Sequence, residues 1–266
     1  MTPVALVTGA ARGIGAATVV GLAQAGFAVV AVDRCSDDPR LPYPMGTRAE
    51  LDDVVGRAQA LARGPGQVIG LVADVGSTAE LAAAVATAER AFGGLDAVVA
   101  AAGVIAGGVP QWELTAEQER AVLDVCLDGV LRTARVGIPA LLRRAPPRQG
   151  RFIAVASAAA TRGLPLLAAY CAAKAGVVGL VNALAVELRA TGITANAVSP
   201  GSTDTAILQE SARLYGLADS AAFAAQQPIE RLLEPHEIAA MIVWLAGPGG
   251  AAITGAALPV DGGLSV

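Results

Sequence analysis

Pro3 to Thr8 is a short apolar run with β-branched residues, and it passes directly into Gly9-Ala10-Ala11-Arg12-Gly13-Ile14-Gly15 and then a helical pattern through Ala25. The order is strand, glycine turn, helix. Gly9 and Gly13 let the backbone turn tightly and approach a pyrophosphate. Gly15 lets helix and sheet pack closely, and the helix N-terminus offers unpaired N–H donors to phosphate. The spacing is G-x-x-x-G-x-G, not the commoner G-x-G-x-x-G, and a glycine turn alone also serves merely to connect two elements. A second strand, Ala28 to Val32, ends at Asp33, eighteen residues after Gly15. A carboxylate there accepts hydrogen bonds from both adenosine ribose hydroxyls and repels a 2'-phosphate, which favours NAD over NADP. Arg12 and Arg34 argue the other way, but Asp33 holds the geometrically demanding place at the strand end.

The alternation continues along the chain. Gln67 to Ala73 reads as a strand ending at Asp74-Val75, and Ser77-Thr78-Ala79-Glu80 as a capping box opening a helix to Phe92. Asp96 to Ala101 is a fourth strand, and Ala102-Gly103 ends it where a cofactor can approach the backbone. Thr115 to Gln118 opens a long helix toward Arg143, stopped by Pro146-Pro147. Arg151 to Ala156 is strand five, Pro165 to Arg189 a helix, Ile193 to Val198 strand six, and Ile238 to Val260 a core helix, a turn and a final strand. Parallel strands joined by crossover helices bind ligands at their carboxyl ends. Gly9, Asp33, Asp74, Gly103, Ser157 and Pro200 all fall at such ends, a convergence stronger than any one motif.

Tyr170 and Lys174 lie one helical turn apart, and Ser157 stands thirteen residues before the tyrosine at the end of an apolar run. A free tyrosine has a pKa of about 10, a poor proton acceptor at neutral pH. An ammonium at i+4 sits on the same helix face. At about 4 Å and an effective dielectric near 20 it interacts with a phenolate by roughly 4 kcal/mol, at most on the order of three pKa units. The pair therefore predicts a tyrosine made more acidic by its lysine. The same spacing also describes a tyrosine packed beside a solvated lysine.

Composition agrees with one enzyme domain spanning 1–266: the length suffices for a large core. A net charge of −4 gives no basic footprint for nucleic acid or an anionic membrane. Mean hydropathy is high at +0.56, yet the longest uncharged stretch, Ile238 to Val260, is broken by Gly247-Pro248-Gly249-Gly250, so no membrane span is expected. Met1-Thr2-Pro3 carries no signal-peptide pattern. Cys35, Cys126 and Cys171 are odd in number and scattered, indicating neither disulfides nor a metal cluster, and a reducing cytoplasm fits. His236, the sole histidine, lies at a helix start in Glu234-Pro235-His236-Glu237 and reads as structural or exposed.

The chain resembles the short-chain dehydrogenases/reductases over essentially its whole length. The carrying residues are Thr8-Gly9-Ala10-Ala11-Arg12-Gly13-Ile14-Gly15, Asp74-Val75, Ala102-Gly103, Ser157, Tyr170, Lys174, Asn196, Pro200-Gly201 and Val260-Asp261-Gly262-Gly263. The resemblance implies an α/β, single-domain Rossmann fold, a doubly wound seven-stranded parallel sheet with helices on both faces, NAD(P)-linked alcohol or carbonyl oxidoreduction, and usually a homotetramer. It makes Tyr170 the acid/base and Ser157 the group that positions the substrate oxygen. Lys174 then holds the nicotinamide ribose and lowers the tyrosine pKa. Gly9, Arg12, Gly13, Ile14, Gly15 and Asp33 become cofactor contacts, with Asp74 and Val75 at adenine and Ala102 and Gly103 beside the cofactor. Pro200, Gly201 and Thr203 belong to the loop that meets the nicotinamide carboxamide.

Two stretches depart from the family pattern. Cys126 replaces the usual asparagine of the long helix, and Ala100-Ala101-Ala102-Gly103 replaces the Asn-Ala-Gly turn. The asparagine holds a proton-relay water in the family, and a thiol is a weak donor and acceptor, so either slow proton release or a space-filling thiol is expected. The second departure is a proline-rich insertion loop over 35–46, followed by the capping box Thr47-Arg48-Ala49-Glu50. It resembles the insertion of the mycofactocin-dependent subgroup, as do Val177-Val178-Gly179-Leu180 and Ser199 to Thr205. This implies an NAD folded under the loop and retained, with electrons passed to mycofactocin. A substrate lid is expected over 204–228, carrying Ile207, Leu208, Leu214, Tyr215, Leu217 and Phe223. With no arginine or lysine evident at this end, a small hydrophobic secondary alcohol or ketone is the expected substrate. An ordinary NAD-exchanging dehydrogenase and a non-catalytic nucleotide sensor are the rivals.

Overall fold

The computed structural model describes residues 2–62 and 67–266. Seven strands form one parallel sheet in the order β3-β2-β1-β4-β5-β6-β7. They are β1 (Val4–Thr8), β2 (Ala28–Asp33), β3 (Val68–Val72), β4 (Ala97–Ala100), β5 (Arg151–Val155), β6 (Thr194–Pro200) and β7 (Ala257–Val260). The winding reverses between β1 and β4, whose register sets Thr8 beside Val32 on one side and Ala100 on the other. A crevice opens at such a reversal, outside the carboxyl ends of the strands.

Helices cover both faces because the central strands are apolar on both. Residues Val4 to Thr8 and Arg151 to Val155 are all buried, as strands sandwiched between helix layers must be. One layer holds α1 (Gly13–Gln24), α2 (Arg48–Leu61) and α8 (Pro235–Ala246), packed on a core that includes Val7, Leu22, Val29, Leu51, Ile153 and Ile242. The other holds α3 (Thr78–Phe92), α5 (Gly129–Leu142) and α6 (Ala168–Glu187) over Leu6, Val30, Val98, Phe152 and Val181. Of the described helices, only α6 is long and apolar enough to cross a membrane. It lies against the sheet, with Lys174 donating to the Val155 carbonyl.

Several boundaries differ from those the sequence predicts, each for a local reason. The helix expected from Pro165 begins at Ala168, because Leu166 adopts a left-handed φ of 62° and so interrupts the turn. The expected capping box at Ser77 is half formed. The Ser77 hydroxyl accepts from the Glu80 amide, but the Glu80 carboxylate turns back to accept the Asp74 amide at 2.8 Å, fixing the end of β3. At α2 the box is complete, with Thr47 and Glu50 capping each other's amides. The long helix toward Arg143 starts as α4 (Ala116–Leu123) and reaches α5 through a π-helical turn, Asp124–Asp128, that carries Cys126. The expected lid consists of α7 (Ala206–Leu214) and a 3₁₀ segment, Ser220–Gln226.

Candidate active site

The glycines of the first turn are there for space. Gly9 has φ 69°, and a Cβ on it would meet the Ala102 Cα at 2.6 Å. A Cβ on Gly15 would strike the Gly9 carbonyl. The turn is thus pressed between the loop after β4 and its own helix, and the α1 N-terminus faces open space above the strand ends. That space is a cleft of about 610 Å³ lined along its length by Gly9, Arg12, Gly13, Ile14, Gly15, Asp33, Asp74, Val75, Ala102 and Gly103, and at its far end by Ser157, Tyr170, Lys174, Pro200, Gly201 and Thr203. Residues from six strand ends, scattered through 195 positions of chain from Gly9 to Thr203, therefore meet in one cavity.

At the adenosine end the donor set fits NAD. Asp33 accepts the Ala11 amide through Oδ2 at 3.0 Å and the Cys35 amide through Oδ1 at 3.1 Å. Each oxygen keeps lone-pair capacity for ribose hydroxyls. Arg34, the apparent argument for a 2'-phosphate, is consumed by acids: its Nη1 lies 3.1 Å from Asp38 and its Nε 3.4 Å from Asp74.

At the other end, Lys174 is 3% exposed, and its Nζ sits 5.7 Å from the Tyr170 ring centre while donating to Val155 O at 2.7 Å. Sequence alone predicts that the lysine makes the tyrosine more acidic; the structure shows burial winning. Desolvation pushes the Tyr170 phenol well above its ordinary value, nearby Cys126 adds to the rise, and the Ser157 hydroxyl opposes it. Burial likewise pulls Lys174 below the usual ammonium range. The reason is that both groups leave water together, and at this depth each ion is less favoured than it is in water. Ser157 accepts the Ala159 amide at 3.1 Å, which fixes its side chain at the end of β5. Lys174 is also the sole lysine of the chain among nineteen basic residues, a signal for its special place that motif spacing does not carry.

The segment from α7 to the 3₁₀ turn covers this end of the cleft. Tyr215 donates to the Pro165 carbonyl at 2.6 Å and meets Phe223 edge to face at 5.9 Å. Ile207, Leu208, Leu217 and Phe223 give the cleft an apolar roof. The expectation that no arginine faces this end needs correction. Arg162 lines the cleft with its guanidinium on the Leu264 carbonyl, drawn there because the C-terminal tail folds back over the mouth. Gln227, 1% exposed, is another residue without a sequence signature: it accepts the Ser202 amide at 2.9 Å and so shapes the loop after Pro200-Gly201. His236 is exposed, at the first turn of α8, outside this cleft.

The segment 35–46 lies against the cleft rather than in solvent. Ser36, Met45 and Gly46 line it, and Leu41 is 7% exposed. Asp38, 2% exposed, takes both Nε and Nη2 of Arg40 at 2.9 and 2.8 Å, and Arg40 also reaches Asp124 on the π turn at 2.7 Å. The Arg40 guanidinium holds the Asp38 carboxyl far below the usual carboxylate range. A depressed carboxyl stabilises the fold above its unfolded pKa of about 3.9, and that contribution is lost as pH falls through the folded value. Arg40→Met is therefore expected to cost about 2 kcal/mol in urea denaturation at pH 7, with the difference from wild type shrinking below pH of about 4.

Cys126 is wholly buried, and both of its hydrogen-bonding capacities are used: Sγ accepts the Val104 amide at 3.4 Å and donates to the Val104 carbonyl at 3.1 Å. Among the described residues no group of three or more His, Cys, Asp or Glu is placed to hold a metal ion.

Comparison with known proteins identifies the family. The family model described as Enoyl-(Acyl carrier protein) reductase matches residues 45–265. An NAD-dependent oxidoreductase of Mycobacterium tuberculosis is 37% identical, the alignment covering 98% of this chain and 94% of the relative. A cis-4-hydroxycyclohexanecarboxylate dehydrogenase of Sinomonas cyclohexanicum is 39% identical over 98% of this chain and 95% of its own. The crystal structure of carveol dehydrogenase from Mycobacterium avium in complex with NAD superimposes with a TM-score of 0.91 at 30% identity, covering 98% of this chain and 97% of that one. Strand order, glycine turn, Asp33 and full-length similarity converge, and the chain belongs to the short-chain dehydrogenase/reductase family of NAD-dependent oxidoreductases.

Proposed function

We propose that the protein interconverts a small hydrophobic secondary alcohol and its ketone, with Tyr170 as acid/base, and that it retains its NAD and hands the electrons to mycofactocin. The observation that carries the reaction is the placing of Ser157, Tyr170 and Lys174 under the apolar lid at one end of a cleft whose other end is Asp33. Carveol and 4-hydroxycyclohexanecarboxylate, in the names of the two similar dehydrogenases, are alicyclic secondary alcohols, and an alicyclic body suits the Ile207, Leu208 and Phe223 roof.

NAD, when bound, supplies the hydride acceptor for alcohol oxidation or, reduced, the hydride donor for the reverse. The chain manages the proton and the geometry. Ser157 holds the substrate oxygen, and Tyr170 Oη takes the hydroxyl proton in oxidation or gives its own to the carbonyl oxygen in reduction. Lys174 would hold the nicotinamide ribose, Asp33 the adenosine ribose, and the N-terminus of α1 the pyrophosphate. Because burial raises the Tyr170 pKa, its resting form at neutral pH is the protonated acid.

Retention is supported by the segment 35–46, which borders the cleft through Ser36, Met45 and Gly46 and is tied down by Arg40. A homotetramer is supported by apolar residues left on the surface of two helices, Val186 on α6 at 73% exposure and Trp244 on α8 at 48%. Three free cysteines suit a reducing cytoplasm. The test is to purify the protein without added nucleotide, denature it and quantify what is released. About one NAD per chain, with alcohol-dependent reduction of an artificial acceptor and no accumulation of free NADH, is expected. An empty protein that turns over with added NAD is the ordinary exchanging enzyme instead. A protein that binds NAD and reduces nothing across an alicyclic alcohol panel is the sensor.

A further inference from the structure

The backbone strip that follows β4 passes along the cleft as Ala101-Ala102-Gly103-Val104-Ile105, and all five residues line it. Beyond Ala100 the strip has left the ladder, so its amides must find partners elsewhere or stay buried without one. Four of the five amides are held by side chains from three separate places. Thr8 Oγ1 accepts the amides of Ala101 and Ala102 at 3.2 and 3.4 Å, Cys126 Sγ accepts that of Val104 at 3.4 Å, and Tyr43 Oη accepts that of Ile105 at 2.8 Å. The last is the shortest of the four, and its residue comes from the segment between β2 and α2, sixty-two positions away.

Tyr43 is well placed to hold that amide firmly. Burial pushes its phenol above the ordinary tyrosine range, with the Ile105 amide opposing the rise, so it stays a neutral hydroxyl at working pH. Its ring belongs to the same apolar cluster as Leu41, Val104, Ala106, Cys126, Ala169 and Tyr170. The segment that carries it is anchored on the same side of the cleft, by Arg40 on Asp124 two residues before Cys126. The segment therefore reaches from the ribose-binding aspartate to the substrate end: a Cβ on Gly46 would lie 3.2 Å from the Asp33 carboxylate, and three residues earlier Tyr43 grips the wall beside Tyr170.

We infer that Tyr43 is a positioning residue for the hydride-transfer reaction, setting through the Ile105 amide the wall against which the substrate ring is held. The inference rests on the reading of this cleft as the nicotinamide and substrate site. It makes the segment 35–46 part of the reacting geometry as well as a neighbour of the cofactor. A misplacement of the wall alters alignment of the alcohol and leaves the grip on the nucleotide untouched.

The experiment compares wild type, Tyr43→Phe and Leu41→Ala, using cis-4-hydroxycyclohexanecarboxylate and carveol as probes, with amide hydrogen exchange read at Ile105. In wild type the Ile105 amide is expected to be protected to at least the degree of Val104. Tyr43→Phe keeps the ring and removes only the acceptor. It is expected to lower protection at Ile105 about tenfold or more, and to raise KM or lower kcat for the alcohol by a similar factor. Bound nucleotide per chain stays at the wild-type value. Leu41→Ala, in the same cluster, loosens the segment without removing the acceptor, and is expected to lower nucleotide content, which Tyr43→Phe does not, while keeping Ile105 protection above that of Tyr43→Phe. The inference is overturned by an unprotected Ile105 amide in wild type, a reading that survives even if Tyr43→Phe fails to fold. It is overturned as well by wild-type kinetics in Tyr43→Phe, or by Leu41→Ala reproducing every effect of that variant. If no alcohol turns over in wild type while Ile105 protection still depends on the Tyr43 hydroxyl, the proposed reaction fails and the positioning of the wall stands on its own.

Discussion

Tyr170→Phe is expected to lower alcohol oxidation on the order of a thousandfold, the range removed with a well-placed general acid/base, while the purified variant carries the same amount of nucleotide as wild type. The ring keeps its packing in the cluster with Ala169, Val104 and Cys126, and among the described residues the phenol makes no hydrogen bond that holds a backbone element, so the fold loses little. What disappears is a phenol oxygen that borders the cleft beside Ser157 and Lys174 and has its proton affinity altered by burial. Residual turnover above about a tenth of wild type would assign proton transfer to another group. The pH dependence of the wild type carries the same signature. Since burial raises the tyrosine pKa, the deprotonated form required for oxidation grows about tenfold per pH unit through neutrality. Alcohol oxidation is expected to climb with that slope into the alkaline range, and ketone reduction, which uses the protonated form, to stay level until the phenol titrates. A flat oxidation profile between pH of about 6 and 9 would mean that the phenol is not the titrating base.

How far the site is legible in the chain depends on which interactions are local. The Gly9 to Gly15 turn, Asp33 and the Tyr170-Lys174 pair are contiguous or strand-end signals, because their work is done by a backbone conformation or a helical turn that sequence spacing encodes. Capping at Thr47 is equally local and forms as its residues predict. Glu80 shows where locality fails. The residue type suits a capping box, but the Asp74 amide, freed as β3 ends, competes for the same carboxylate and takes it. Arg34 illustrates a second limit. Its charge alone is compatible with a phosphate ligand, and only the folded positions of Asp38 and Asp74 neutralise it. Tyr43, Gln227 and Arg162 belong to a third kind, contacts made across tens of residues by side chains with no spacing rule. The proton affinity of Tyr170 is a fourth. An i+4 ammonium predicts a fall, yet the depth at which both groups are buried reverses the sign, and depth is a property of the packed domain alone.

That reversal makes Lys174→Met the sharper of the two substitutions. Methionine fills a similar volume and leaves the Val155 carbonyl without its donor at 2.7 Å, so activity is expected to drop about a hundredfold through lost ribose holding and lost charge near the phenol. The oxidation profile is expected to move to higher pH, since no cation remains to favour the phenolate when the site is occupied. Lys174→Arg should not rescue it: a planar guanidinium differs in shape and donor geometry from the compact ammonium and meets a site only 3% exposed. Stability gives an independent reading with a definite sign. Lys174 has its pKa lowered on folding, so between its folded value and the unfolded value of about 10.4 the unfolded chain binds more protons, and stability rises with pH. Tyr170 acts oppositely, its raised pKa making stability fall once pH exceeds the unfolded tyrosine value of about 10. Wild type minus Lys174→Met, measured by urea denaturation across the alkaline range, should therefore show a rising limb that the variant lacks, and both proteins should share the decline above pH of about 10. A rising limb undiminished in the variant would place the titrating group elsewhere. Because Lys174 is the only lysine in the sequence, amine labelling reads it without interference from any other side chain. Its reactivity against pH supplies the folded pKa at which that limb should begin.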